Sequence, residues 1–191
     1  VNIHIFTGVG GGTGAGTFLD TCYLVQQALR NIGEDGHALT CGYFFLPDVN
    51  LSKPDIANNP AVSEYIKANG FSAMKELDYC MNFENNHGSW DQECRAFHIG
   101  PTKETPVKLC HLISAATTSG AVMKDGFAYA MNVVTNYVMQ FIVASQGFTL
   151  QSHIGNFNNM INTVQKHHGA NYGYCILGGS NANVPMREIT T

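Results

Sequence analysis

Charge is scarce in this chain. Only 13% of its 191 residues are Asp, Glu, Lys or Arg, against about a quarter in an ordinary soluble domain. Part of the surface is therefore expected to face something other than water. The deficit is uneven: no Lys stands between Val1 and Leu51, and no Asp or Glu between Gly126 and Arg187. The first gap excludes a P-loop around the glycines of the amino-terminal region, because that loop needs a Lys next to its last Gly. A net charge of −4 and a pI of about 6.0 argue against a general binder of nucleic acid or anionic lipid. No apolar run approaches the roughly 18–20 residues of a membrane span. Neither nucleic acid nor membrane is expected as a partner.

The cysteines lack any C-x-x-C spacing. Cys22, Cys41, Cys80, Cys94, Cys110 and Cys175 mostly sit inside apolar runs. They read as small buried apolar residues in a reducing compartment, hence a cytoplasmic location. A zinc set of Cys94, His98, Cys110 and His111 is disfavoured, because Cys110 and His111 are adjacent in an expected strand and point to opposite faces. The chain starts inside an apolar run, Val1 to Phe6, and stops abruptly at Thr190-Thr191. It reads as a piece of a longer protein.

What is present is apolar and patterned. Apolar residues make up 45% of the chain, enough for a packed core. Residues 2–7 read as a strand, and a glycine-rich turn follows from Gly8 to Gly16. Thr17 to Ile32 carries Phe18, Leu19, Cys22, Val25, Leu29 and Ile32 at helical spacing, and Gly33 and Gly36 end that helix. Ala38 to Leu46 is a second strand, stopped by Pro47-Asp48. Both strands are apolar without alternation, which suits a parallel sheet covered on both faces. Asn50 to Asn59 reads as a loop. Pro60 can open a helix that runs to Met81 and is softly broken at Asn69-Gly70. Asn82 to Thr105 is polar and irregular and reads as a surface loop holding the sole Trp, Trp90. Val107 to Ser114 is a third strand, Lys124 to Ala144 a long helix, Phe157 to His168 a further helix, and Tyr172 to Leu177 a fourth strand. The fold class is α/β, with helices flanking a parallel sheet.

The strongest signal is Gly10-Gly11-Gly12-Thr13-Gly14-Ala15-Gly16, placed between a strand and a helix. Glycines permit positive φ and close approach of the backbone to an anion. Their N–H groups, together with the head of the helix, make a phosphate cradle, and Thr13 adds a hydroxyl. A dinucleotide fingerprint fits loosely through Gly10, Gly12 and Ala15. It needs an acid about 20 residues further on, and the nearest strand-end acid, Asp48, is much farther away.

Residues 10–16 resemble the signature loop of the tubulin and FtsZ superfamily, in which such a loop grips the phosphates of GTP. The resemblance implies a Rossmann-like GTPase-type sheet, present here in part. On that reading residues 1–144 are the carboxyl half of a nucleotide-binding domain that ends in its long central helix. Residues 145–191 are a connector and the start of a second, activation domain. Pro47 and Asp48 fall in the loop near the ribose. Asn69 is matched to the Asn that reads the guanine edge. Phe127 is matched to the aromatic residue that stacks on the base, and Asn132 to a second polar reader, one residue beyond the usual spacing. Gln151, His153 and Asn156 stand where the family has Asn, Asp and Asp in the loop that completes a GTPase site on the next subunit.

The implied ligand is GTP or GDP, with magnesium as the ion that GTP brings. The implied partners are the rest of the same protein and further copies of it, stacked head to tail. Without acids in the connector, hydrolysis is expected to be weak or absent. The insert at 82–105 departs from the family and implies a divergent, bacterial branch. Two other readings stay open: an NAD- or FAD-binding Rossmann enzyme, and a scaffold that kept the fold without the nucleotide.

Overall fold

The computed structural model describes residues 1–94, 97–144, 159 and 174–179. Strand β1 (Asn2–Gly8) leads through a short turn into helix α1 (Gly12–Asn31), and β2 (Leu39–Phe45) follows. Short helices α2 (Pro47–Leu51) and α3 (Pro54–Ala57) precede the long α4 (Pro60–Met81). Then come α5 (Phe83–Asn86), β3 (Trp90–Cys94), β4 (Phe97–Thr102), β5 (Leu109–Ile113), α6 (Gly126–Ala144) and β6 (Tyr174–Leu177). Strands β1, β2, β5 and β6 form one parallel sheet in the order β1-β2-β5-β6. This is the expected α/β, Rossmann-like arrangement.

All seven residues of β2 are buried, which is why Leu39-Thr40-Cys41-Gly42-Tyr43-Phe44-Phe45 shows no polar alternation. Its side chains feed two cores. On one face Phe44 meets Phe18, Leu19, Cys22 and Tyr23 of α1 and Leu77 and Cys80 of α4. On the other, Cys41, Tyr43 and Phe45 meet Ala130 and Val134 of α6. The sheet is thus sandwiched between α1 with α4 and α6. Register aligns Gly8 with Phe45 and Phe45 with Ile113, so three strands end level at one edge of the sheet.

Four expectations need correction. The glycine stretch is mostly helix: the turn spans only Val9 to Gly11, and Gly12 to Gly16 form the first turns of α1. Asn50–Asn59 is largely helical, because Pro47 and Pro54 each open a helical turn. Helix α4 runs unbroken through Asn69-Gly70. Gly70 is there for space: a Cβ would lie 2.0 Å from Pro47 Cγ.

The insert 82–105 is also no surface loop. Its strands β3 and β4 pair antiparallel. Phe83 and Ile99 are buried in the α1 core, and Trp90 stacks on Tyr23 with ring centroids 4.6 Å apart. Of the two glycines expected to end α1, Gly33 does so, with φ +74° and its N–H bonded to Arg30 O at 3.1 Å. Strand β6 lies parallel beside β5 in the main sheet.

Candidate functional site

In open parallel sheets the carboxyl edge is where ligands bind. Here that edge is built from the turns after β1, β2 and β5. Val9 is buried and its N–H bonds to Phe45 O at 3.0 Å, which pins the glycine turn to the neighbouring strand. Gly11 is the N-cap of α1 and supplies no side-chain cap, and the first turn holds no acid. The ladder begins with Ala15 N–H to Gly11 O at 3.0 Å. The amides of Gly12, Thr13 and Gly14 therefore precede it, at the positive end of a 20-residue helix.

The loop glycines have two different tasks. A Cβ on Gly14 would lie 2.2 Å from Gly8 O, and one on Gly10 would lie 2.9 Å from Ile66 Cγ2. These two let the turn pack. Cβ atoms on Gly11 or Gly16 would meet nothing within 4 Å. Gly11 thus faces open space at the head of α1. Gly12 and Thr13 are exposed, and Ala15 packs against the core. Positive φ is not the reason for these glycines, since none from Gly8 to Gly16 adopts it.

Around the glycine turn the chain gathers side chains from α2 and α4. Pro47 Cα lies 3.3 Å from the Cβ position of Gly10, and Asn50 Oδ1 3.5 Å from it. Asn69 Nδ2 donates to Gly10 O at 3.3 Å, so the residue matched to a base reader also braces the loop. Tyr65 is 59% exposed, and its hydroxyl oxygen is 3.1 Å from the Cβ position of Gly12. Asp48 turns toward the loop after β5. Its Oδ2 accepts from Ala115 N–H at 2.7 Å and from the Ser114 hydroxyl, while Oδ1 is buried without a partner.

On the opposite rim, α6 starts against the α2–α3 connection, because Gly126 has no Cβ to strike Ala115 or Ser52. Phe127 follows, 42% exposed, with Lys53 Nζ 3.8 Å above its ring centroid. Asn132 is exposed farther along α6. Gly10 is thus in contact with both Pro47 and Asn69. Asp48 and Phe127 join the rim through Ala115 and Ser52. Gln151, His153 and Asn156 lie outside the described residues.

Sequence reasoning missed Asn50, Lys53 and Tyr65. Tyr65 was within reach, because it precedes Asn69 by one helical turn and so shares its face.

The core chemistry is quiet. Burial pushes the Cys22 and Cys41 thiols up to about 12 and Cys80 to about 11, so these are inert packing groups. His111 is held down to about 4 by burial and is neutral. A carbonyl can only accept, so His111 Nδ1–H donates to Gly42 O at 3.2 Å, and Nε2 accepts from the Tyr137 hydroxyl at 3.1 Å. His98 pairs with Asp91. Among the described residues no three His, Cys, Asp or Glu side chains are grouped to hold a metal, and no helix is long and apolar enough to cross a membrane.

A family model described as tubulin like matches residues 1–191. No curated protein and no solved structure matches the chain.

Proposed function

The chain belongs to the tubulin-like family, and from that premise we propose that it binds GTP or GDP at the carboxyl edge of its sheet and stacks head to tail into filaments. The observation that carries this reading is the uncapped head of α1, where Gly11 leaves open space before the free amides. Gly10 to Gly16 would hold the phosphates through backbone N–H groups and the Thr13 hydroxyl. Pro47 and Asp48 would border the ribose. Phe127 would stack on the base, with Asn69 and Asn132 as readers of its edge. Asn69 keeps a second N–H and its carbonyl beyond the bond to Gly10. Magnesium, if GTP brings it, would be carried by phosphate and water with little help from protein carboxylates.

On this reading residues 1–144 are the carboxyl half of the nucleotide domain. Residues 145–191 are the connector and the beginning of a second domain, which joins the main sheet through β6, and the connector covers the nucleotide of the next subunit. Head-to-tail contacts give open filaments when the rotation does not close. Gln151, His153 and Asn156 would face the terminal phosphate there. The amides of Gln151 and Asn156 orient water but accept a proton poorly, and with no carboxylate in the connector turnover is slow or absent. The absence of acids from Gly126 to Arg187 suits a contact surface, where charge is depleted. Free thiols at Cys22, Cys41, Cys80 and Cys110 suit a reducing cytoplasm.

The test is the nucleotide content of full-length protein as purified, by chromatography after denaturation, followed by calorimetric titration with GTP, GDP and NAD. Guanine nucleotide bound by the wild type and lost in Gly11→Leu supports the reading. Binding of NAD alone would replace it with a dinucleotide enzyme. No binding of either would leave a scaffold.

A further inference from the structure

Lys53 is a rim residue with no role so far. It caps the start of α3, and its ammonium lies 3.8 Å above the centroid of Phe127. Phe127 itself is 42% exposed. The pairing is held in place from below, because Gly126 lets the start of α6 settle onto Ser52, next to Lys53. A cation and a flat base cannot share one ring face. Both are drawn to the same π-electron surface, the ammonium by charge and the base by stacking.

We propose that Lys53 competes with the nucleotide base for the ring of Phe127 and so sets the affinity of the site. This rests on the guanine-nucleotide reading above. In the free protein Lys53 shields the apolar ring from water. Entry of the base displaces the ammonium to solvent, and its loss from the ring is subtracted from the stacking gain. An exposed cation–π contact corresponds to about a two- to fivefold change in an equilibrium constant. Lys53 is therefore a positioning residue that restrains binding, although its charge alone would suggest a phosphate ligand.

The sign of the effect decides between these roles. GTP affinity is measured by calorimetry for wild type, Lys53→Ala, Lys53→Arg, Phe127→Leu and the double variant Lys53→Ala with Phe127→Leu. Physiological salt is used so that the long-range pull of a lysine on phosphate is screened. Competition predicts binding about two- to fivefold tighter in Lys53→Ala, near wild type in Lys53→Arg, and no effect of Lys53→Ala once Phe127 is Leu. Weaker or unchanged binding in Lys53→Ala overturns the proposal, as does an equal gain in the Phe127→Leu background. A wild type that binds no GTP removes the nucleotide reading itself, and this inference with it.

Discussion

Gly11 and Gly14 are three residues apart and answer to opposite constraints. Gly14 is pressed on Gly8 O, so Gly14→Ala must move backbone. A cost of about 1–3 kcal/mol is expected, seen as an earlier urea midpoint. Gly11 faces empty space, so Gly11→Leu should leave the stability within about 1 kcal/mol of wild type while abolishing nucleotide retention. Gly16→Ala, also open and inside α1, should stabilise by about 0.5–1 kcal/mol through helix propensity. If all three variants lose stability alike, the division into packing and ligand glycines is wrong.

His111 carries a second residue-scale prediction. Its folded pKa, about 4, lies below the ordinary 6.5, so the unfolded chain binds the proton first. The stability from keeping it neutral is complete above pH 6.5 and is lost as pH falls toward 4. The gap of about 2.5 units corresponds to about 3 kcal/mol. Urea titrations between pH 4 and 7 should show a shallower slope in His111→Phe than in wild type. Equal slopes would mean that the folded protein protonates His111 freely.

At the scale of elements, the β3–β4 hairpin belongs to the core. Ile99 is fully buried among α1 and α4 residues, and Trp90 lies flat on Tyr23. Ile99→Ala should cost about 2–5 kcal/mol. Because Trp90 is the only tryptophan, its fluorescence reports the transition directly. A truncation without effect would return the hairpin to the surface. The sequence hid this element for a physical reason. Its strands are short and largely polar, and Ile99 becomes core only against α1 and α4, which lie far away along the chain. The helices α1, α4 and α6 were legible because their apolar spacing repeats over several turns. Helices α2 and α3 are too short to show a period, and only Pro47 and Pro54 mark them.

At the scale of the whole molecule, the proposed filament need not consume its nucleotide. With no carboxylate at Gln151, His153 and Asn156, GTP and a non-hydrolysable analogue should support sedimentable assembly to the same extent. Phosphate release should be far below one equivalent per subunit on the assembly timescale. Brisk turnover that survives Asn156→Ala would show that the connector was wrongly assigned. The rim suggests how occupancy could reach neighbouring parts of the fold. Pro47 touches both Gly10 and Gly70, Asp48 holds the loop after β5, and that loop supports the start of α6.

Chain order alone settled the parallel α/β class, the glycine-rich passage from the first strand into the first helix, and the family resemblance, because each depends on local spacing and backbone chemistry. Only the folded arrangement decided which glycines make room for neighbours and which face open space, since a missing Cβ means nothing until something stands beside it. The same holds for Asn69 bracing Gly10 and Lys53 lying over Phe127. These pairs are far apart in sequence, and proximity between distant residues is set by how helices seat on the sheet.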